Sequence, residues 1–223
     1  MWCVPELTAD YIARMEDVLE TYEKPLDPAE PVVCLDEKPI TLHADTRPTT
    51  PARPGKAPRR DYEYQRRGTA NAFCAVEPKA GRHFVFITPR RTADHFAQVL
   101  FHLALAYPAA RTIHLILDNL NIHCRKSLVG FYGEEVGGQI WDRFTIHHTP
   151  KHASWLNQAE IQISLFSRQC LGRRRLESLA VLRREAAAWV RRVDRHRIKI
   201  RWTFTRRAAR KTFGYKYKIS KRS

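Results

Sequence analysis

The sequence predicts an α/β protein in which apolar strands end in carboxylates and alternate with helices. Three observations carry that expectation. Val32-Val33-Cys34-Leu35 is a continuous apolar run that stops at Asp36-Glu37, the pattern of a strand buried on both faces. A second apolar run, residues 112–117, stops in the same way at Asp118-Asn119. Residues 93–106, and the stretch from Leu179 onward, instead repeat their apolar positions with helical spacing.

Taken in order, residues 8–22 form the first expected helix, because Thr8 is a capping residue and Asp10 puts a negative charge in the first turn. Pro25, Pro28 and Pro31 end it, and the strand 32–35 follows. Residues 41–67 carry Pro48, Pro51, Pro54 and Pro58 among Arg47, Arg53, Lys56, Arg59, Arg60, Arg66 and Arg67. Prolines at that density exclude a helix or a central strand and predict a long, semi-rigid basic loop. The β-like runs 69–76 and 83–88 flank Pro78-Lys79-Ala80-Gly81 and so predict a hairpin. Residues 93–106 place Phe96, Val99, Leu100 and Leu103 on one helical face, closed by Pro108. The stretch containing Gly130, Gly133, Gly137 and Gly138 has no clear pattern, whereas 144–147 suits a short strand. A helix is expected from near Ser154 to about Leu171, and another where Leu179, Leu182, Ala186, Trp189 and Val193 recur. The expected organisation is an N-terminal helix and linker (1–30), an α/β domain bearing the basic loop (31–175), and an amphipathic helix with a basic tail (176–223).

The chain has 223 residues and a net charge of +16. Residues 173–222 hold nineteen of the 39 basic side chains but only three of the 23 acidic ones, so the preceding body is neutral. A strongly basic end points to a polyanionic partner, most often nucleic acid. Ten Phe, eight Tyr and five Trp supply a sizeable core. No apolar run approaches the roughly 18–20 residues that cross a bilayer, and no basic leader precedes an apolar stretch, so no membrane partner is expected. Five scattered cysteines without a CxxC pair suit a reduced, cytoplasmic protein and argue against a disulfide framework or a cysteine zinc site.

Asp36 and Asp118 each end a strand. In neighbouring strands their carboxylates would meet at one sheet edge, where open α/β sheets place their sites. Each alone reads equally well as a solvated turn residue. Glu160 falls, on a helical wheel, within the stripe of Leu156, Ala159, Ile163, Phe166, Cys170 and Leu171, only about 40° from Leu156. An acid pointing inward needs a partner, either an arginine or a metal. Together the three acids suggest oxygen ligands for Mg²⁺ or Mn²⁺ and two-metal phosphodiester chemistry. Asn119 and His123 could orient a ligand, but a turn residue and a surface histidine are the simpler readings. His147, His148 and His152 straddle Pro150, which favours DNA-facing or structural roles over a metal site. Lys151 and Arg168 suit phosphates or plain solvation, and Trp189 suits the core. Trp202, Phe204, Phe213, Tyr215 and Tyr217 alternate with Arg and Lys, which fits base stacking or a docked β-like extension equally.

VVCLDE (32–37), HLILDN (114–119) and HTPKHASWLNQAE (148–160) resemble the three catalytic blocks of the DDE transposases of bacterial insertion sequences. The similarity is greatest to the branch related to the mariner elements. It runs from about Trp2 to the C-terminus, and the third block matches at Pro150, Ser154, Leu156, Asn157 and Glu160. The resemblance implies an RNase H-like (retroviral-integrase-like) fold, a five-stranded mixed sheet with helices on both faces. Asp36 would lie on the first strand, Asp118 on the fourth and Glu160 on the following helix, together holding two Mg²⁺ ions, with Mn²⁺ as a substitute. It further implies hydrolysis at the element's ends followed by attack of the freed 3′-hydroxyl on target DNA. A homodimer joined partly through 41–67 is expected. DNA would be met by Arg53, Lys56, Arg59 and Arg60 in the loop, Lys151 beside the third block, and Arg206, Arg207, Arg210 and Lys211 in the tail. Members of the family place helix-turn-helix domains before the catalytic part; here Met1-Trp2-Cys3-Val4-Pro5 stands where that part begins. Either a separate frame encodes the reader domain as an upstream helix-turn-helix partner polypeptide, or the chain is a fragment or degenerate copy; a nucleoid-associated location is expected. Two other readings are a non-catalytic DNA-binding remnant or inhibitor of a transposase, and an RNase H-type nuclease or resolvase on the same fold.

Overall fold

Residue parity along the first strand decides which side of the sheet each acid faces. In a computed structural model, which describes residues 7–216, β1 (Val32–Asp45) turns Val33 and Leu35 to one face. There they pack on Phe96, Val99, Leu100 and Leu103 of α2 (Ala93–Ala106), Leu128 of α3 (Arg125–Tyr132) and Ile140 of α4 (Glu134–Trp141). Cys34 turns the other way, onto Met15, Val18 and Leu19 of α1 (Ala9–Glu23). Successive strand residues alternate faces, so Asp36 shares the α1 side with Cys34 and Glu37 the α2 side with Leu35.

Four more strands complete the sheet: β2 (Tyr64–Glu77), β3 (Arg82–Thr88), β4 (Ile113–Leu117) and β5 (Phe144–His148), in the order β3-β2-β1-β4-β5. The β1/β2 and β2/β3 pairs are antiparallel, whereas β1/β4 and β4/β5 are parallel. This is the expected five-stranded mixed sheet with helices on both faces. The β1/β4 pairing covers only Val32–Cys34 against His114–Ile116. Beyond it β1 continues with β2 alone, and the strands separate where Asp36 and Asp118 stand.

The expected loop 41–67 is shorter than its prolines suggested. β1 runs on through Asp45 and β2 begins at Tyr64, which leaves residues 46–63 as the connection. All four prolines fall inside that narrower span; its flanks pair as a ribbon, with Gly68 at φ +96 beside a register shift opposite Thr41/His43. Arg175 anchors the ribbon, donating to Asp45 Oδ1 (2.7 Å), Glu63 O (2.6 Å) and Asp61 O (2.7 Å).

The helix expected over 154–171 is broken into a 3₁₀ turn (Ser154–Leu156), α5 (Ala159–Phe166) and a π turn (Ser167–Leu171). α5 packs on the sheet beside α6 (Leu179–Arg195), through Ile163, Phe166, Leu182, Ala186, Trp189 and Val193 against Ile40, Leu42, Cys74 and Ile87. The unpatterned glycine-rich stretch forms α3 and α4, separated at Gly133 with φ +83. The basic tail contains α7 (Arg206–Phe213), capped by Thr205 and ended by Gly214 in the left-handed region. Tyr217 and Cys3 lie outside the described residues; Cys34, Cys74, Cys124 and Cys170 are free thiols. Among the described residues no helix is long and apolar enough to cross a membrane.

The β2–β3 turn holds the chain beyond α6 against the sheet. Gly81 sits at φ +67, and a Cβ there would lie 2.7 Å from the carbonyl carbon of Arg197. Ile200 N–H donates to Pro78 O at 3.0 Å nearby. Gly81→Ala should therefore lower stability by about 2 kcal/mol, from left-handed strain and overpacking together. Thermal unfolding checks this; an unchanged midpoint would contradict the close approach.

Candidate active site

Asp36 stands two residues past the last β4-paired position, half-buried on the α1 face of the sheet. Its Oδ1 accepts the Glu37 N–H at 2.7 Å. Burial pushes its carboxyl up to about 7, and the negative charges of Glu160, Glu37 and Asp118 add to that push. Among the described residues, no ion pair reaches Asp36 or Glu160.

Asp118 follows the end of β4 on the same face. Burial would raise it, but the His123 ring prevails and holds it below the ordinary carboxylate range. Its Oδ1 lies 2.7 Å from His123 Nδ1, and the other ring nitrogen reaches Glu37 Oε1 at 2.8 Å. Burial disfavours charge on His123, yet its two carboxylate partners push it up to about 9, so it is charged at neutral pH. His123 is thus fully enclosed, not the surface residue its sequence position suggested. The available signal was the parity of Glu37, which shares the buried face of Leu35 and so required a cationic partner.

Glu160 lies in the first turn of α5 and is exposed, contrary to the inward orientation read from the helical wheel. That wheel ran a single phase from Leu156. Leu156 instead ends a separate 3₁₀ turn, and Asn157 is extended at φ −80, ψ 108, so the phase restarts at Ala159. Asn157 then docks α5 beside Asp36: its Nδ2 donates to Leu35 O at 2.8 Å and its Oδ1 accepts the Ala159 N–H at 3.1 Å. Leu35 O is left open for this bond because β4 has already parted from β1.

Asp118 and Glu160 both stand near enough to Asp36 for their negative charges to act on its carboxyl. Among the described residues, no three His, Cys, Asp or Glu side chains form a group that could hold a metal ion. In kind, the donors fit a hard divalent cation: all are carboxylate oxygens, one is half-buried without a counter-charge, and one is held ionised.

A family model described as DDE superfamily endonuclease matches residues 31–183, well over half of the chain. The chain belongs to the DDE superfamily endonucleases. Its fold is similar to solved structures of the Mos1 transposase. The paired-end complex with the left transposon end superposes with a TM-score of 0.54 at 14% identity, over 89% of this chain and 62% of that one. The strand transfer complex gives 0.53 at 15%, over 89% and 61%, and the mariner paired end complex with Mn gives 0.52 at 15%, over 89% and 62%. These likenesses show the RNase H-like fold, and the chain spans about three-fifths of the length of those proteins. No curated protein matches it.

Other residues of this DDE endonuclease take structural places. Asn119 ties the end of β4 to the third block, donating to Thr149 O and accepting from Arg14 Nη1 at 2.8 Å. His147 is buried between His114 (2.9 Å) and Asp17 (2.7 Å), and His148 meets Asp118 O at 3.2 Å. His152 is exposed at φ +60. Arg53, Lys56, Arg59 and Arg60 stand exposed on the 46–63 ribbon, and Lys151, Arg207 and Lys211 are exposed as well. Arg206 and Arg210 are engaged within the chain. Arg206 pairs with Glu23 (2.8 Å) and Glu20 (3.1 Å), and Arg210 with Glu16 (2.6 Å), so these cations clamp α7 to the acidic α1.

The raised carboxyl of Asp36 links stability to pH. The folded chain holds a proton there up to about pH 7, whereas an unfolded aspartate releases it near 4. Its favourable contribution is therefore fully present below about pH 4 and is lost as pH rises through about 7. Asp36→Asn, which cannot ionise, should stabilise the protein by on the order of 2 kcal/mol more at pH 8 than at pH 5. Chemical denaturation without divalent cations checks this, and an equal effect at both pH values would contradict the carboxylate crowding.

Proposed function

We propose that this DDE endonuclease cuts the ends of a mobile DNA element and joins the freed 3′-hydroxyl to target DNA. Asp36, Asp118 and Glu160 would hold two Mg²⁺ ions, with Mn²⁺ as a substitute. The observation that carries the reading is the half-buried Asp36, without a cationic partner and under the negative charges of Glu160 and Asp118, beside the short β1/β4 pairing of an RNase H-like sheet. The ions, when bound, would activate the attacking water or hydroxyl and stabilise the leaving oxygen.

The residues around them have definite tasks. His123 keeps Asp118 ionised and, through Glu37, fixed to the strand that carries Asp36. Asn157 holds the α5 terminus so that Glu160 stands over the same edge. The exposed cations Arg53, Lys56, Arg59 and Arg60, with Lys151, Arg207 and Lys211, would hold phosphates without reading sequence. The Mos1 transposase has been solved as a paired-end complex with a left transposon end and as a paired end complex with Mn. By analogy this chain would act on its own element's ends, as a homodimer joined partly through the basic ribbon, in the bacterial nucleoid.

The full chain should nick supercoiled plasmid in Mg²⁺ or Mn²⁺, and Asp36→Asn or Glu160→Gln should slow nicking about a thousandfold. DNA affinity should stay within about twofold in both variants, since neither removes a phosphate contact. Cleavage that survives either substitution would defeat the triad. Salt-sensitive DNA binding without any metal-dependent nicking would instead assign the chain as a non-catalytic remnant.

A further inference from the structure

Glu160 lies on the rim of a groove of about 870 Å³ that the chain beyond α6 builds against α5. Apolar sites that take small ligands run from roughly 300 to 1,000 Å³, so the groove has the capacity for one. Trp155, Trp202, Phe204 and Phe213 form its aromatic side. Trp155 stands 5.4 Å from Phe204 at 78° and 6.3 Å from Phe213, and Phe204 lies 6.3 Å from Phe213. These rings are half-buried because they rest on the core cluster under α1, which holds them in place and keeps the groove from collapsing. Trp202 is fixed further by its Nε1–H bond to Phe204 O at 2.7 Å and by the Tyr22 ring at 5.5 Å.

The opposite edge is polar and cationic. Arg168 and Arg201 are exposed there with no carboxylate partner among the described residues, and Ser164, Thr203 and Thr212 add hydroxyls. The aromatic–basic alternation of the tail produces this division: Trp202 and Phe204 turn inward along the extended segment, while Arg201 and Thr203 turn out.

We propose that the groove receives one unpaired nucleotide of the DNA strand, adjacent to the phosphodiester that faces Asp36, Asp118 and Glu160. The base would lie against Trp155, Phe204 and Phe213, and its phosphate would face Arg168 and Arg201. The proposal rests on the DNA-cutting reading above and adds to it a subsite with its own occupant. Aromatic faces with cations beside them are what single-stranded nucleic acid requires, and any base can use them. A base inside a duplex has both faces covered by its neighbours, so only an unpaired one can present a face to these rings. Glu160 lines the groove and is also one of the three proposed metal ligands, so an occupant of the groove lies beside the proposed cutting site.

The experiment measures affinity of the full 223-residue chain for a duplex with a three-nucleotide 3′ single-stranded tail and for the blunt duplex, in EDTA. No cleavage is needed. The tailed duplex should bind about tenfold tighter, and 2-aminopurine placed in the tail should lose fluorescence on binding. Ser164→Trp, which fills the groove from an exposed helix position, should remove that preference with its melting profile unchanged. Phe204→Ala should remove it as well. Equal affinity for the two duplexes, or a preference kept in Ser164→Trp, would overturn the proposal. Failure to bind either duplex would strike the DNA reading itself, so the two failures are distinct.

Discussion

The arrangement of the site depends on a parallel pairing only three residues long. Val32–Cys34 bonds to His114–Ile116, and then β1 and β4 part. The register that pairs Cys34 with Ile116 puts Asp36 and Asp118 at matching positions just beyond it, on the same face. The parting of the strands opens Leu35 O, and Asn157 takes it. That one side-chain bond brings the third acid to the same edge, because α5 begins two residues later. A longer β1/β4 ladder would have satisfied Leu35 O within the sheet and left α5 without its anchor.

Charge is then divided unevenly around this edge. His123 gives its positive charge to Asp118 and Glu37, and Asp36 receives none. The result is one acid kept ionised and another pushed toward neutrality by burial and like charge, which is the condition a bound cation relieves. A similar division operates across the whole chain. The acidic α1 faces α7, and Glu16, Glu20 and Glu23 neutralise Arg206 and Arg210. Other cations, among them those of the ribbon, Lys151, Arg168, Arg201, Arg207 and Lys211, face outward, so the charge presented to a partner is not the tail's alone.

Much of the fold was legible because it rests on local rules. Thr8 caps its helix as side-chain chemistry requires, and the apolar runs 32–35 and 112–117 are central strands. Asp36 and Asp118 were legible for the same reason, since parity and strand ends are sequence properties. What failed needed tertiary information. The ribbon flanks at 41–45 and 64–67 hold their strand form through cross-strand pairing and Arg175, neither of which a proline count registers. Glu160 was placed on the wrong side because one extended residue, Asn157, resets the helical phase. His123 carries no periodic signal at all; its place follows from a buried Glu37 on another strand.

The central claim is that three carboxylates from β1, β4 and α5 act as one divalent-cation site. Titration of the metal-free full chain with Mn²⁺, followed by electron paramagnetic resonance, tests it most directly, because it reads binding without any reaction. Two ions should bind per chain in the wild type, and binding should be at least about tenfold weaker in Asp36→Asn and in Glu160→Gln. Mn²⁺ binding unchanged by either substitution would contradict it.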